Sequence, residues 1–114
     1  PLIKEVSDLD VPLADGVGDA AYMEVLSGVL ETLDRFPEPD FVFYNAGVDP
    51  HKDDRLGRLS LSDEGLQERD RRVLHYFRQR NVPVACVIGG GYSKDVKEVA
   101  ERHSIIHRTC AEFI

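Results

Sequence analysis

Two short apolar runs in this chain each end in a glycine-rich turn carrying one side chain able to do chemistry. Phe41-Val42-Phe43 leads into Tyr44-Asn45-Ala46-Gly47-Val48-Asp49-Pro50-His51, and the run from Val82 to Ile88 leads into Gly89-Gly90-Gly91-Tyr92. The first turn offers a carboxylate, an oxygen donor that suits a metal such as zinc. The second offers a phenol, which is a neutral hydrogen-bond donor at pH 7 because its ordinary pKa is near 10. Glycine beside each lets backbone and ligand approach closely. In open α/β sheets ligands bind outside the carboxyl ends of the strands, where both groups would stand. Each also has a plainer reading. Asp-Pro initiates turns, and a tyrosine after glycines is commonly a surface or core aromatic. The glycine run has no lysine at the spacing of a phosphate-binding loop.

Other residues compete for attention. His51 and Asp54 follow Asp49 closely enough to suggest a second metal site, but hydrogen bonds that order the loop are the nearer reading. His103 and His107 are four apart on a helical pattern, which is ligand spacing without the HExxH context; packing is the simpler role. Arg69, Arg71, Arg72, Arg78 and Arg80 read as a solvated basic face. Cys86 in a strand and Cys110 on a helix read as buried thiols in a reducing compartment, and so as a cytoplasmic chain rather than a disulfide framework.

The elements that must hold these groups alternate. Residues 4–13 form a first extended segment, with Pro12 at its end or edge. Asp19 reads as an N-cap, and Tyr22, Val25, Leu26, Val29, Leu30 and Leu33 fall on one helical face. Pro37 and Pro39 stop that helix. Phe41–Tyr44 lacks polar alternation, as does Val84–Ile88, which suits strands covered on both faces in a parallel sheet. Between them Ser62 caps a helix, with Asp63 and Glu64 in its first turn and Leu66, Val73, Leu74 and Phe77 as its buried stripe. Asn81 and Pro83 close it. Ser93 starts a last helix with Val96, Val99, Ala100, His103, His107 and Cys110 on one face. The expected architecture is a three-layer α/β/α piece in the order β-α-β-α-β-α, with right-handed crossovers.

Composition is that of one globular domain over residues 1–114, with 42% hydrophobic and 31% charged residues. No apolar run is long enough to span a membrane, and no signal peptide is visible. The net charge of −7 is uneven: residues 1–57 hold 13 acids against 4 bases, and residues 58–114 hold 8 acids against 10 bases. Such a balance argues against nucleic-acid binding. It is compatible with attraction of cationic substrates, or with simple solubilisation.

The order of these motifs resembles the C-terminal half of the histone deacetylase family of zinc-dependent deacetylases, in its bacterial acetoin-utilisation-like or class IV-like branches. Asp10-Val11-Pro12-Leu13, Asp15-Gly16-Val17-Gly18-Asp19 and Tyr22 resemble the segment preceding the family's metal aspartate. Tyr44 to Asp49 resembles the segment with the last zinc ligand. His51, Asp54, Leu56-Gly57 and Leu59 resemble the loop after it, and Gly89 to Tyr92 resembles the loop ending in the catalytic tyrosine. The resemblance implies the arginase/deacetylase fold. It implies Asp49 as a zinc ligand, Tyr92 as the donor to the substrate oxyanion, and Gly90 and Gly91 against an acetyl-lysine or a small acetylated amine. His51 and Asp54 would order the loop.

The family's paired histidines and other zinc ligands lie in an N-terminal half with no counterpart here, and the first residue is Pro1. The chain is therefore expected to be a part of such a domain. It should be inactive alone, bind zinc poorly, and self-associate in the absence of its other half. The competing expectation is a non-catalytic α/β interaction or regulatory module that keeps family residues as scaffold.

Overall fold

The computed structural model describes residues 7–54 and 57–114. Five elements follow in order: α1 (Asp19–Leu33), β1 (Val42–Asn45), α2 (Asp63–Gln79), β2 (Val84–Val87) and α3 (Val96–Ala111). β1 and β2 pair in parallel, with Val42 opposite Val84 and Asn45 opposite Val87. Among the described residues no helix is long and apolar enough to cross a membrane.

The apolar sides of both strands face the helices. Tyr44, Val84, Cys86 and Ala46 pack with Leu74 of α2 and with Ile106 and Cys110 of α3. Val42 and Val84 pack with Val73 and Phe77 of α2, and Leu26 and Leu33 of α1 join them. Every helix that packs on the pair therefore lies on the same side of it. This corrects the three-layer expectation: the described residues form two layers. The alternate side chains point the other way, and Phe43 is 78% exposed, with Phe41 and Val87 also exposed. The apolar runs are continuous as expected, but only one of their faces is covered.

The expected opening strand is not seen either. Residues 7–13 are irregular, and residues 4–6 lie outside the described residues, so the observed order begins with a helix. Pro12 and the alternating acids leave this segment little to pair with.

Helix ends follow local chemistry in part. Ser62 caps α2 and its side chain accepts from the Gly65 N–H. Asn81, at φ 57°, turns the chain out of α2 toward β2. Asp19 does not cap α1: Gly18 takes that position without a side-chain bond. The Asp19 carboxylate instead accepts from the backbone N–H of Ser62 at 2.9 Å and from the Ser62 hydroxyl. On α3 the cap is Asp95, and the buried face is Arg102, Ile105, Ile106 and Thr109. The stripe expected there is out of phase; Val96, Ala100 and His107 are exposed.

Candidate functional site at the strand ends

Beyond the last paired residues, the ladder continues into the two loops. The Ala46 N–H donates to the Val87 carbonyl at 2.8 Å, and the Val48 N–H to the Gly89 carbonyl at 3.1 Å. These bonds carry the two glycine-rich turns side by side past the sheet. Gly90 and Gly91 both have left-handed φ, 63° and 92°. A Cβ on Gly90 would lie 2.6 Å from Asp49 Oδ1, and one on Gly47 would lie 2.7 Å from the same atom. The carboxylate thus rests against the backbone of both turns, and a side chain at Gly90 would displace it. Asp49 is exposed, on a cleft of about 250 Å³ lined also by Tyr22, Asn45, Arg69, Gly89 and Gly90. Gly91 faces the other way, against Val48, Val99 and His103.

The loop after Asp49 reaches the same place through Asp54, a carboxylate only 8% exposed. One of its oxygens accepts from the Gly57 N–H at 2.8 Å, and the other accepts from the backbone N–H of Tyr92. One side chain therefore spans both loops. His51, also buried, accepts at Nδ1 from the Asp53 N–H at 3.1 Å and pairs through Nε2 with Asp63 at 2.8 Å. That pattern puts the ring proton on Nε2. The structure brings Asp49 against Gly90 and ties the backbone of Tyr92 to Asp54; Tyr92 itself is 55% exposed and does not line the Asp49 cleft. His103 is half-buried behind Gly91 while His107 is exposed, so the two do not act as a pair.

A buried polar group under the cleft was not anticipated. Arg69, read as part of a solvated face, is only 5% exposed, and Asp70 is 1% exposed. Arg69 Nε donates to Asp70 Oδ1 at 2.9 Å, and its NH1 donates to the Gly47 carbonyl at 2.6 Å. The Tyr44 hydroxyl donates to the same Asp70 oxygen at 2.5 Å. Burial pushes the Tyr44 phenol far above its ordinary pKa, and Asp70 adds to the effect against the opposing pull of Arg69. Burial also raises the Tyr22 phenol, with Arg69 opposing it. For Arg69, burial alone would lower the guanidinium, but Tyr44, Asp70 and Tyr22 together hold it above its ordinary value. The group is a cation braced by an anion and two phenols. The bond from Arg69 to Gly47 leaves the cluster and fixes the backbone two residues before Asp49.

The sequence profile of the histone deacetylase domain matches residues 4–107. The chain belongs to the histone deacetylase family. It is 46% identical over 112 residues to an uncharacterized protein of Picosynechococcus sp., covering 98% of this chain and 37% of that one. It is 35% identical over 92 residues to histone deacetylase 2 of Arabidopsis thaliana, covering 81% of this chain and 24% of that one. A crystal structure of a histone deacetylase homolog from Aquifex aeolicus superposes with a TM-score of 0.75 at 26% identity, over 90% of this chain and 26% of that one. The chain thus spans well under half the length of the relatives it matches, and its two strands and three helices correspond to part of the deacetylase fold.

Histone deacetylases are a zinc-dependent family, and the donor set here can be tested against that metal. Catalytic zinc takes three protein ligands and one open position. Among the described residues no three histidine, cysteine or acidic side chains gather in one place. Asp49 supplies one oxygen donor at an accessible position, which fits one corner of such a site and does not make the whole of it.

Proposed function

We propose that this chain forms the part of a zinc-dependent deacetylase that carries one metal ligand and the oxyanion donor, acting on an N-acetyl-lysine or a small acetylated amine. The observation that carries the reading is the seat of Asp49. Its carboxylate lies against Gly47 and Gly90, where no Cβ has room, at the carboxyl ends of two parallel strands. Asp49 is the zinc ligand in this reading. The metal, when held by Asp49 and ligands from the rest of the domain, supplies Lewis acidity toward the acetyl carbonyl. Tyr92 donates its phenolic proton as a hydrogen bond to that carbonyl and holds it more strongly as negative charge develops. Asp54, by anchoring the Tyr92 N–H, sets where the phenol stands relative to Asp49. Gly90 keeps the approach to Asp49 free of a side chain, while Gly91 lets the loop pack against Val48, Val99 and His103. With one ligand of three, the chain by itself is inactive and holds zinc weakly.

The test is hydrolysis of an acetyl-lysine reporter by two proteins. One is this chain. The other is a chimera in which the preceding part of the Picosynechococcus relative is fused to it. The expected result is no turnover by the chain and zinc-dependent turnover by the chimera. Tyr92→Phe in the chimera should lower turnover by about 10²–10³ with zinc content unchanged, the usual cost of one oxyanion donor. A zinc-loaded chimera without turnover would favour a non-catalytic module, and an active chimera indifferent to Tyr92→Phe would remove Tyr92 from the mechanism.

A further inference from the structure

Cys86 and Cys110 lie on different elements, 24 residues apart in sequence, yet their sulfurs are 3.7 Å apart. Cys86 is in β2 and Cys110 is one residue from the end of α3. Both are free thiols and both are half-buried. Two sulfurs at van der Waals contact need only side-chain torsions and a small backbone adjustment to reach the bond length of about 2 Å. A cleft of about 210 Å³ lined by both cysteines, Leu74, Pro83, Val84 and Phe113 opens beside them and admits a small oxidant.

The geometry points to an oxidative modification site: Cys86 and Cys110 form an intramolecular disulfide under hydroperoxide, clamping β2 to the end of α3. One thiol sulfur attacks the hydroperoxide, the O–O bond breaks, and a sulfenic acid and an alcohol or water are formed. The second sulfur then displaces hydroxide from the sulfenic acid; the S–O bond breaks, the S–S bond forms, and water leaves with the protons. Each sulfur gives up one electron overall and the peroxide takes two. Burial and the neighbouring Cys110 push the Cys86 thiol up to about 12, which lowers its thiolate fraction and slows its attack. The covalent ring so closed contains Gly89 to Tyr92. The inference does not depend on the proposed catalytic role.

The purified chain is treated with hydrogen peroxide, and its intact mass, peptide map and thermal unfolding are followed. The expected product has lost two hydrogens, carries a peptide joining Cys86 to Cys110, and reverts with dithiothreitol. Closing a loop of this length should raise Tm on the order of 10 °C. The crosslink should form faster in folded protein than in protein unfolded in guanidinium, and Cys86→Ser and Cys110→Ser should each abolish both the product and the Tm rise. Two thiols still alkylatable after prolonged oxidation of folded protein would overturn the inference. So would sulfinic acids or intermolecular disulfides as the main products.

Discussion

Replacing Arg69 by methionine should cost more than any surface arginine in this chain. Methionine keeps much of the length and packing and deletes only the guanidinium. Asp70, 1% exposed, would then keep the Tyr44 hydroxyl as a partner but lose its countercharge. The Gly47 carbonyl would lose its 2.6 Å donor. Breaking a buried pair by removing one partner typically costs about 3–5 kcal/mol, because the survivor stays desolvated and uncompensated. At roughly 4 °C per kcal/mol for a chain of this size, Tm falls by about 12–20 °C. Urea unfolding with an unchanged m-value is the assay, since it separates lost stability from an altered denatured state. Adding Asp70→Asn should recover a large part of the loss by removing the orphaned charge, as groups in contact couple by about 0.5–3 kcal/mol. By contrast Arg71→Met, whose partner Glu112 is exposed, should leave the urea midpoint nearly unchanged. A loss at Arg69 as small as that at Arg71, or a double variant no better than the single one, would refute the claim that this cluster bears charge in isolation from water.

Gly90→Ala combines a left-handed φ with a Cβ 2.6 Å from Asp49 Oδ1, so it should destabilise by about 1–3 kcal/mol, read from the urea midpoint; no change would mean the loop is not held as described. Ser62→Ala removes both the α2 cap and the hydroxyl donor to Asp19, and should cost about 1–2 kcal/mol, with Thr restoring most of it where Val does not. The uncovered face of the strand pair, with Phe43 78% exposed beside Phe41, should drive self-association at micromolar concentration; light scattering should show a monomer after Phe41→Ser with Phe43→Ser, and a wild-type chain already monomeric would count against this.

Two of the three expected strands, their parallel pairing through α2 and the place of the two glycine turns are legible because they depend on local patterns: short apolar runs, a serine cap, asparagine and proline as stops. What stayed hidden depends on tertiary context. Arg69 and Asp70 fall at i+3 and i+4 from Leu66, followed by Val73, Leu74 and Phe77, so the spacing alone put them on the buried stripe. Their charge argued the other way, and only mutual pairing plus the Tyr44 hydroxyl makes their burial tolerable. The α3 face was misphased for a related reason. The histidines drew the stripe toward themselves, whereas Ile105, Ile106 and Thr109 carry the contact. The third layer was inferred from strands without polar alternation, but such a run does not say whether its second face is met by residues of the same chain. At the site, Asp49 and Tyr92 stood out by their turns, while the link between their loops through Asp54 connects residues 38 positions apart and has no local signature.

Helix α1 is fastened to the rest in an unusual way. Only Met23 is buried along its 15 residues, whereas α2 buries seven. Besides the half-buried Tyr22, Leu26 and Leu33, its ties to α2 are polar: Asp19 to Ser62, Ser27 to Arg72, and Asp34, just past its end, to Tyr76 and Arg80. Contacts of this kind exchange with water at little cost, unlike apolar ones. The helix should therefore open as a unit well before the α2–α3 pair, exchanging its amide hydrogens through a sub-global event. Because the ties at Asp34 and Arg80 involve charge at the surface, raising ionic strength should hasten that opening while leaving exchange in α2 nearly untouched. The molecule would then carry a detachable first helix on a more durable sheet-and-helix base, and Tyr22, on the cleft beside Asp49, would leave and return with it.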